Sequence, residues 1–441
     1  MKKIISLVLL VAILFSLLLT GCGSDKKVSD DSGGQQDSQP AQTQEEKKET
    51  ESKENVTIKF THYQSEGQET FLKIIEKFQA EYPNIKIEAD LSGGDQYPTI
   101  LKTKLAAREA SDIIGVHPGL NNAITIAKSG YLEELTNEPY IQNIDPGALR
   151  MGSVDGKVYA LPIDTAYIAV FYNKDIFKEN SLSIPKTWKE YTDLCEKLKQ
   201  KDIVPISVGN KDLWVTQLIP YALAPTVIYK NNVNFDKDMY DGKAKFNGPE
   251  WKKVMDMYGE LLEKGYFNEG PLSTSYDQSL ALFAQGQTAM IIMGTWALPV
   301  IKDLNNDIDI GLFVLPASDD GNNWASSAVG GMIGIFSESA YKDEAKKFLA
   351  FFMRDDIYRF YLTETKNFPT VKGFVVDFDP AAQELVSQVT NSYNFLDQNW
   401  PAGVQDVFLR GYQEFFAGKP AEEVLAECDK EWEARVKELN Q

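Results

Sequence analysis

The side chains in this chain that could hold a small molecule are aromatic and amide groups at the ends of apolar runs, joined by one carboxylate. The stretch 288–293 is short and apolar, Gly294 lets the backbone turn, and Trp296 follows at the mouth of the run. A tryptophan there is either core filler or a flat platform for an apolar ligand face. Tyr63 and Gln64 follow the strand-like run 56–61, and His117 follows the run 112–116 just ahead of Pro118 and Gly119. In open α/β sheets, ligands sit at such carboxyl ends of strands. Asp164 follows Leu161, Pro162 and Ile163. Trp214, Trp324 and Trp400 stand among Asn, Asp and Gly, which is poor company for a core tryptophan. Trp188, Trp251 and Trp432 have apolar partners at helical spacing and read as core. Gly330 and Gly331 would let backbone approach a ligand closely, or ease a hinge.

Other chemistries have less material. With His62 and His117 as the whole histidine complement, a His-based metal site or catalytic triad is poorly supplied. No G-x-S-x-G elbow or phosphate-binding G-x-x-x-x-G-K-[ST] loop occurs. Carboxylates are plentiful, so counting does not exclude a glycosidase pair. Cys195 and Cys428 lie at helical spacing among apolar residues and read as buried thiols, with a disulfide between them left open. A net charge of −19 repels nucleic acid and anionic lipid. No cofactor or metal is implied.

Elements must position those residues, and their signals alternate. Strand patterns at 56–61, 85–88 and 112–116 are separated by helical patterns at 71–78 and 97–108, an order that predicts a parallel-type α/β sheet. Further strands are expected near 156–162, 168–172, 288–293, 309–315 and 331–336. Helices are expected over 251–262, 277–284, 339–353, 381–392, 405–417 and 421–439, and over a segment opened by a capping box from Thr187 to Glu190. From residue 55 onward the chain is long enough for two or three domains.

The N-terminus has a different character. Lys2 and Lys3 precede an uncharged apolar run from Ile4 to Leu19, then Leu19-Thr20-Gly21-Cys22. The run is short for a membrane span and ends in small residues, like an export signal. Its end resembles a bacterial lipobox, which implies removal of 1–21 and lipidation of Cys22, anchoring the protein outside the cytoplasmic membrane. Residues 22–54 are polar and read as a flexible leash.

Four stretches carry a wider resemblance. They are Gly156 to Ile163 with Val170 to Phe177, Pro185-Lys-Thr-Trp-Lys-Glu190, Phe283 to Met290 continuing through Gly294-Thr-Trp296, and Glu344 to Phe352 with Phe368-Pro-Thr370 behind. Together they resemble the extracellular solute-binding proteins of the sugar-binding type, capture subunits of ABC importers. The resemblance implies a two-lobed periplasmic-binding-protein-like α/β fold of type II, with ligand in a cleft that closes by hinge motion. One lobe would comprise 55–163 plus 329–370, and the other 164–328 plus 371–441. It implies a non-enzymatic monomer binding a carbohydrate and meeting permease transmembrane subunits. Trp296 would stack on a sugar ring, Asp164 would accept sugar hydroxyls, and Trp400 lies near another stacking position. Tyr63, Gln64, His117, Trp214, Trp324 and Gly331 complete the expected cleft. A secreted glycoside hydrolase and a surface adhesin remain as alternatives.

Overall fold

The computed structural model describes residues 55–91, 93–94 and 96–439. The signal segment, the leash and Cys22 lie outside the described residues.

Among the described residues eleven strands form the framework: β1 (Val56–Thr61), β2 (Ile85–Asp90), β3 (Ile113–Val116), β4 (Ser153–Val154), β5 (Lys157–Val158), β6 (Ala160–Asn173), β7 (Val204–Ser207), β8 (Thr288–Gly294), β9 (Ile310–Phe313), β10 (Ala325–Ile335) and β11 (Ser392–Tyr393). Nine of them make one sheet, in the order β2-β1-β3-β10-β6-β8-β7, with β11 added to β10 and β9 to β6. β4 and β5 form a separate hairpin, turned by Asp155 and Gly156 at positive φ.

The sheet is mixed, where the sequence suggested parallel pairing. β1 pairs in parallel with β2 and β3, as helical crossovers dictate. The centre is antiparallel: β10 pairs that way with β3 and β6, and β6 with β8 and β9. The pattern near 156–162 divides between β5 and the start of β6, and 168–172 belongs to the same 14-residue strand, β6, which runs through Pro162.

Two apolar cores flank this sheet. One gathers Ile58, Phe60, Phe71, Ile113, Leu161, Ile333, Phe348 and Tyr358; the other gathers Val170, Ile206, Trp251, Tyr258, Ile291, Leu312, Phe408 and Trp432. β6 feeds both cores, and β10 pairs along it on either side of Asp164, so these two strands connect the lobes of a two-lobed molecule. The first core also takes in Val376, a few residues past Phe368.

Local signals explain most helices. Thr187 accepts from the Glu190 N–H at 3.2 Å, but the Glu190 carboxyl takes the Lys186 N–H instead of completing the box. A full reciprocal box occurs at Ser275 and Gln278, opening helix Tyr276–Ala284. The expected 339–353 and 381–392 helices are the shorter Lys342–Phe352 and Pro380–Gln388, and helix Asp355–Thr365 had no counterpart in the sequence reading.

Cys195 and Cys428 are free and fully buried in the second core, so the disulfide left open is absent. Burial pushes both thiols far up, leaving them inert apolar packing. Trp251 and Trp432 are core as expected, while Trp188 is half-buried with its indole N–H donated to Glu260 at 2.8 Å.

Candidate functional site

The crossing of β6 and β10 is organised by Asp164. Its carboxyl is 0 % exposed and accepts the Tyr361 hydroxyl at 2.6 Å, the Asn367 amide at 2.8 Å and the Gly331 N–H at 2.8 Å. With three protein donors and no exposed surface, it offers no oxygen to a ligand. This corrects the sugar-hydroxyl role expected for Asp164, which is instead a hinge lock. β10 is bulged here, with register shifts on either side of Gly331. The two glycines have separate causes: a methyl on Gly330 would overlap the Asp164 carboxyl, and one on Gly331 would press into the Gln64 amide. Gly331 is buried beneath Gln64, a spacer and not a contact surface.

Burial raises the Asp164 carboxyl to about 6, with the three hydrogen bonds opposing. Because its folded value exceeds the unfolded one, its contribution to stability is full below about pH 4 and is lost as pH rises through about 6. Asp164→Asn removes that slope. The variant's deficit relative to the parent should shrink by up to about 3 kcal/mol between pH 4 and pH 7.5. Urea melts of both proteins at the two pH values measure it, and a pH-independent deficit contradicts the lock.

Around this crossing lie four half-buried titratable side chains: Tyr63, Glu66, His117 and Asp397. Tyr63, at the end of β1, stacks on His117 with ring centroids 3.7 Å apart and on buried His62 at 4.6 Å. Its hydroxyl donates to the Gly330 carbonyl at 2.8 Å. Burial holds the His117 imidazole down at about 4, hence neutral.

The opposite wall is aromatic. Thr295 donates its N–H to the Tyr167 carbonyl at 2.8 Å and accepts the Tyr167 N–H on its hydroxyl at 3.2 Å, fixing the turn after β8. Trp296 then folds back over Gly294, whose missing Cβ makes room for the indole. Trp214, on the short helix Leu213–Gln217, lies 6.3 Å from Trp296 and 4.9 Å from Tyr276, and Trp296 lies 6.1 Å from Phe395. Both tryptophans are half-buried. The Tyr276 hydroxyl faces Glu66 of the other lobe, and the Tyr221 hydroxyl faces Asp397. Neither hydroxyl has a partner at hydrogen-bond geometry. Burial pushes the Asp397 carboxyl up to about 6, and burial likewise raises Glu66.

The lobes meet here through amide side chains. Asn121 donates to Gln405 at 3.0 Å, Gln405 to Gln217 at 2.9 Å, and Gln398 to the Val329 carbonyl at 3.0 Å.

Sequence-predicted residues therefore divide. Tyr63, Gln64 and His117 gather on one side, and Trp214 and Trp296 on the other. Trp324 precedes β10, where its backbone exchanges hydrogen bonds with the Thr226 hydroxyl; among the described residues it makes no ring contact with Trp214 or Trp296. Trp400 is 0 % exposed, packed edge-on to Tyr221, Phe246, Trp251 and Phe408 at 5.0–6.1 Å. That corrects its expected stacking role: the polar stretch around Trp400 faces the cleft through Asp397, three residues earlier, while the indole turns into the core. The segment is pinned by buried Asp236, which accepts from the Tyr229 and Tyr393 hydroxyls and the Asn399 amide at 2.5, 3.0 and 3.1 Å. Glu66, Tyr221, Tyr276, Phe395 and Asp397 were missed by the sequence reading. Of these, Glu66 alone had a usable signal, its nearness to Gln64.

Residues 64–357 match the family described as bacterial extracellular solute-binding protein. The chain belongs to that family. It is 26 % identical over 360 residues to the multiple sugar-binding protein of Streptococcus mutans, covering 80 % of this chain and 85 % of that one. Among solved structures, a chitin oligosaccharide binding protein superposes with a TM-score of 0.78 at 23 % identity, covering 87 % of this chain and 99 % of the other. A raffinose complex of a solute-binding protein gives 0.74 at 21 % identity, covering 85 % and 98 %. These structural likenesses establish the two-lobed fold. Family membership makes this a solute-binding protein rather than an enzyme. Among the described residues no His, Cys, Asp and Glu cluster could hold a metal ion, and no helix is long and apolar enough to cross a membrane.

Proposed function

We propose that this protein captures a saccharide outside the cell and delivers it to the transmembrane subunits of an ABC permease, acting as a monomer tethered through lipidated Cys22. One observation carries the reading. Two buried tyrosines, Tyr221 and Tyr276, each face a carboxyl, with the rings of Trp214, Trp296 and Phe395 between them. A sugar offers the complement: hydroxyls that donate to carboxylates and accept from phenols, and a ring face of C–H groups that aromatic carbon buries. The sugar-binding names of the relatives support the same class. Gln64, Tyr63 and His117 would contact the ligand from the first lobe, and Trp214 and Trp296 from the second.

A ligand that binds only the folded state stabilises it by about 2.7 kcal/mol at 100 times Kd. In a thermal-shift panel of mono- and oligosaccharides at millimolar concentration, at least one should raise the melting temperature by several degrees. A panel with no shift, alongside a clear shift for amino acids or peptides, removes the saccharide reading.

A further inference from the structure

We infer that Asn121, Gln405 and Gln217 form a latch that holds the two lobes together by protein contacts alone, so that closure of the cleft does not wait for a ligand. Asn121 and Gln405 act as positioning residues in it. The inference needs the two-lobed fold and not the saccharide reading.

The latch is a second junction between the lobes, apart from the crossing of β6 and β10. On the first lobe it is the turn Leu120–Ile124. Asn122 accepts the His117 N–H at 3.1 Å, and the Ala123 N–H donates to the His117 carbonyl at 3.0 Å, so the turn is braced against the end of β3. Ala123 and Ile126 root it in the first core. On the second lobe the junction is the segment Leu396–Asn399 with the first turn of helix Val404–Phe416. Leu396, Trp400 and Val404 root that side in the second core. Between the two sides the backbones touch. A methyl group on Gly119 would overlap the carbonyl oxygen and the Cα of Gln398. Gly119 also has a φ of 93°, in the region that favours glycine.

The polar link runs beside that contact. Asn121 donates across the junction to Gln405 at 3.0 Å, and Gln405 donates onward to Gln217 at 2.9 Å. Gln217 ends the short helix Leu213–Gln217, a 3₁₀ turn in which positions three apart lie on one side, so it shares a side with Trp214. One end of the latch is therefore braced on His117 and the other on the helix that carries Trp214, which ties both cleft walls to it. All three amides are half-buried, partly sheltered from competing water. One such hydrogen bond shifts a two-state equilibrium about fivefold.

Small-angle scattering of the protein at pH 8, with no saccharide added, reads the ratio of closed to open molecules. The parent is expected to scatter as the closed form. Asn121→Ala should lower the ratio about fivefold. Gln405→Glu keeps an acceptor for the Asn121 amide and should stay near the parent. Asn121→Asp combined with Gln405→Glu sets two carboxylates face to face, and the ratio should fall by roughly 100-fold. Thermal melts of the same samples check folding: a merely structural role for these residues lowers the melting temperature and leaves the folded molecules closed. An open parent, or a paired variant that is folded and scatters like the parent, overturns the inference. Neither result bears on saccharide binding, which the melting-shift panel tests separately.

Discussion

Replacing Trp296 with alanine is expected to weaken binding of the best panel saccharide by about 100-fold, with a much smaller effect on the fold. The indole is half-buried in the free protein, lying over Gly294 with Trp214 and Phe395 beside it. Stacking a pyranose face on it would remove on the order of 100 Å² of apolar surface from water across the two partners, worth roughly 2.5 kcal/mol at 25 cal/mol per Å². That converts to between tenfold and 100-fold, and loss of the rigid support that orients the sugar toward Asp397 and Glu66 takes it to the upper end. Trp296→Phe, which retains a ring, should recover most of the loss. Fluorescence or calorimetric titration reads the constants, and thermal melting of the ligand-free variants checks folding. Equal affinities for parent and alanine variant would remove Trp296 from the site.

The opposite pattern is expected for Trp400→Ala: a loss of about 3–5 kcal/mol of stability, with saccharide affinity of the molecules that remain folded changed only a few-fold. Its indole is fully buried and surrounded by Tyr221, Phe246, Trp251 and Phe408. Truncation opens a cavity that a ring of large aromatics closes poorly, so the cost belongs at the high end for large-to-small changes. Denaturant unfolding measures the loss. Since ligand binding draws the equilibrium toward the folded state, saturating saccharide should restore part of it. A variant with parental stability and abolished binding would return Trp400 to the cleft. The two tryptophans make a useful pair, because the same substitution is expected to move different observables.

Asp164 shows why a position at a strand end is not yet a function. Its place between two lobes was evident, but its three donors come from Gly331, Tyr361 and Asn367, 167 to 203 positions away in the chain. Nothing near residue 164 announces them. Once present, with the carboxyl fully buried, they leave no exposed oxygen for a ligand, and the residue that reads as a sugar contact holds the crossing strands together.

The features legible in the residues alone are local and periodic. Alternating strand and helix patterns, the turn at Gly294, the apolar spacing around Cys195 and Cys428, and the grouping of Tyr63, Gln64 and His117 at strand ends all follow from side-chain period and backbone sterics, which act over a few residues. Which side chain of a polar stretch faces the cleft is set by packing. In Asp397-Gln398-Asn399-Trp400, Asp236 and the aromatic core draw the indole inward and turn the carboxylate out. Likewise, Glu66 acquires its role because Tyr276, 210 residues later, comes to face it. Burial and charge pairing depend on what arrives from elsewhere in the chain, and that is fixed by packing of the lobes rather than by the neighbours in sequence.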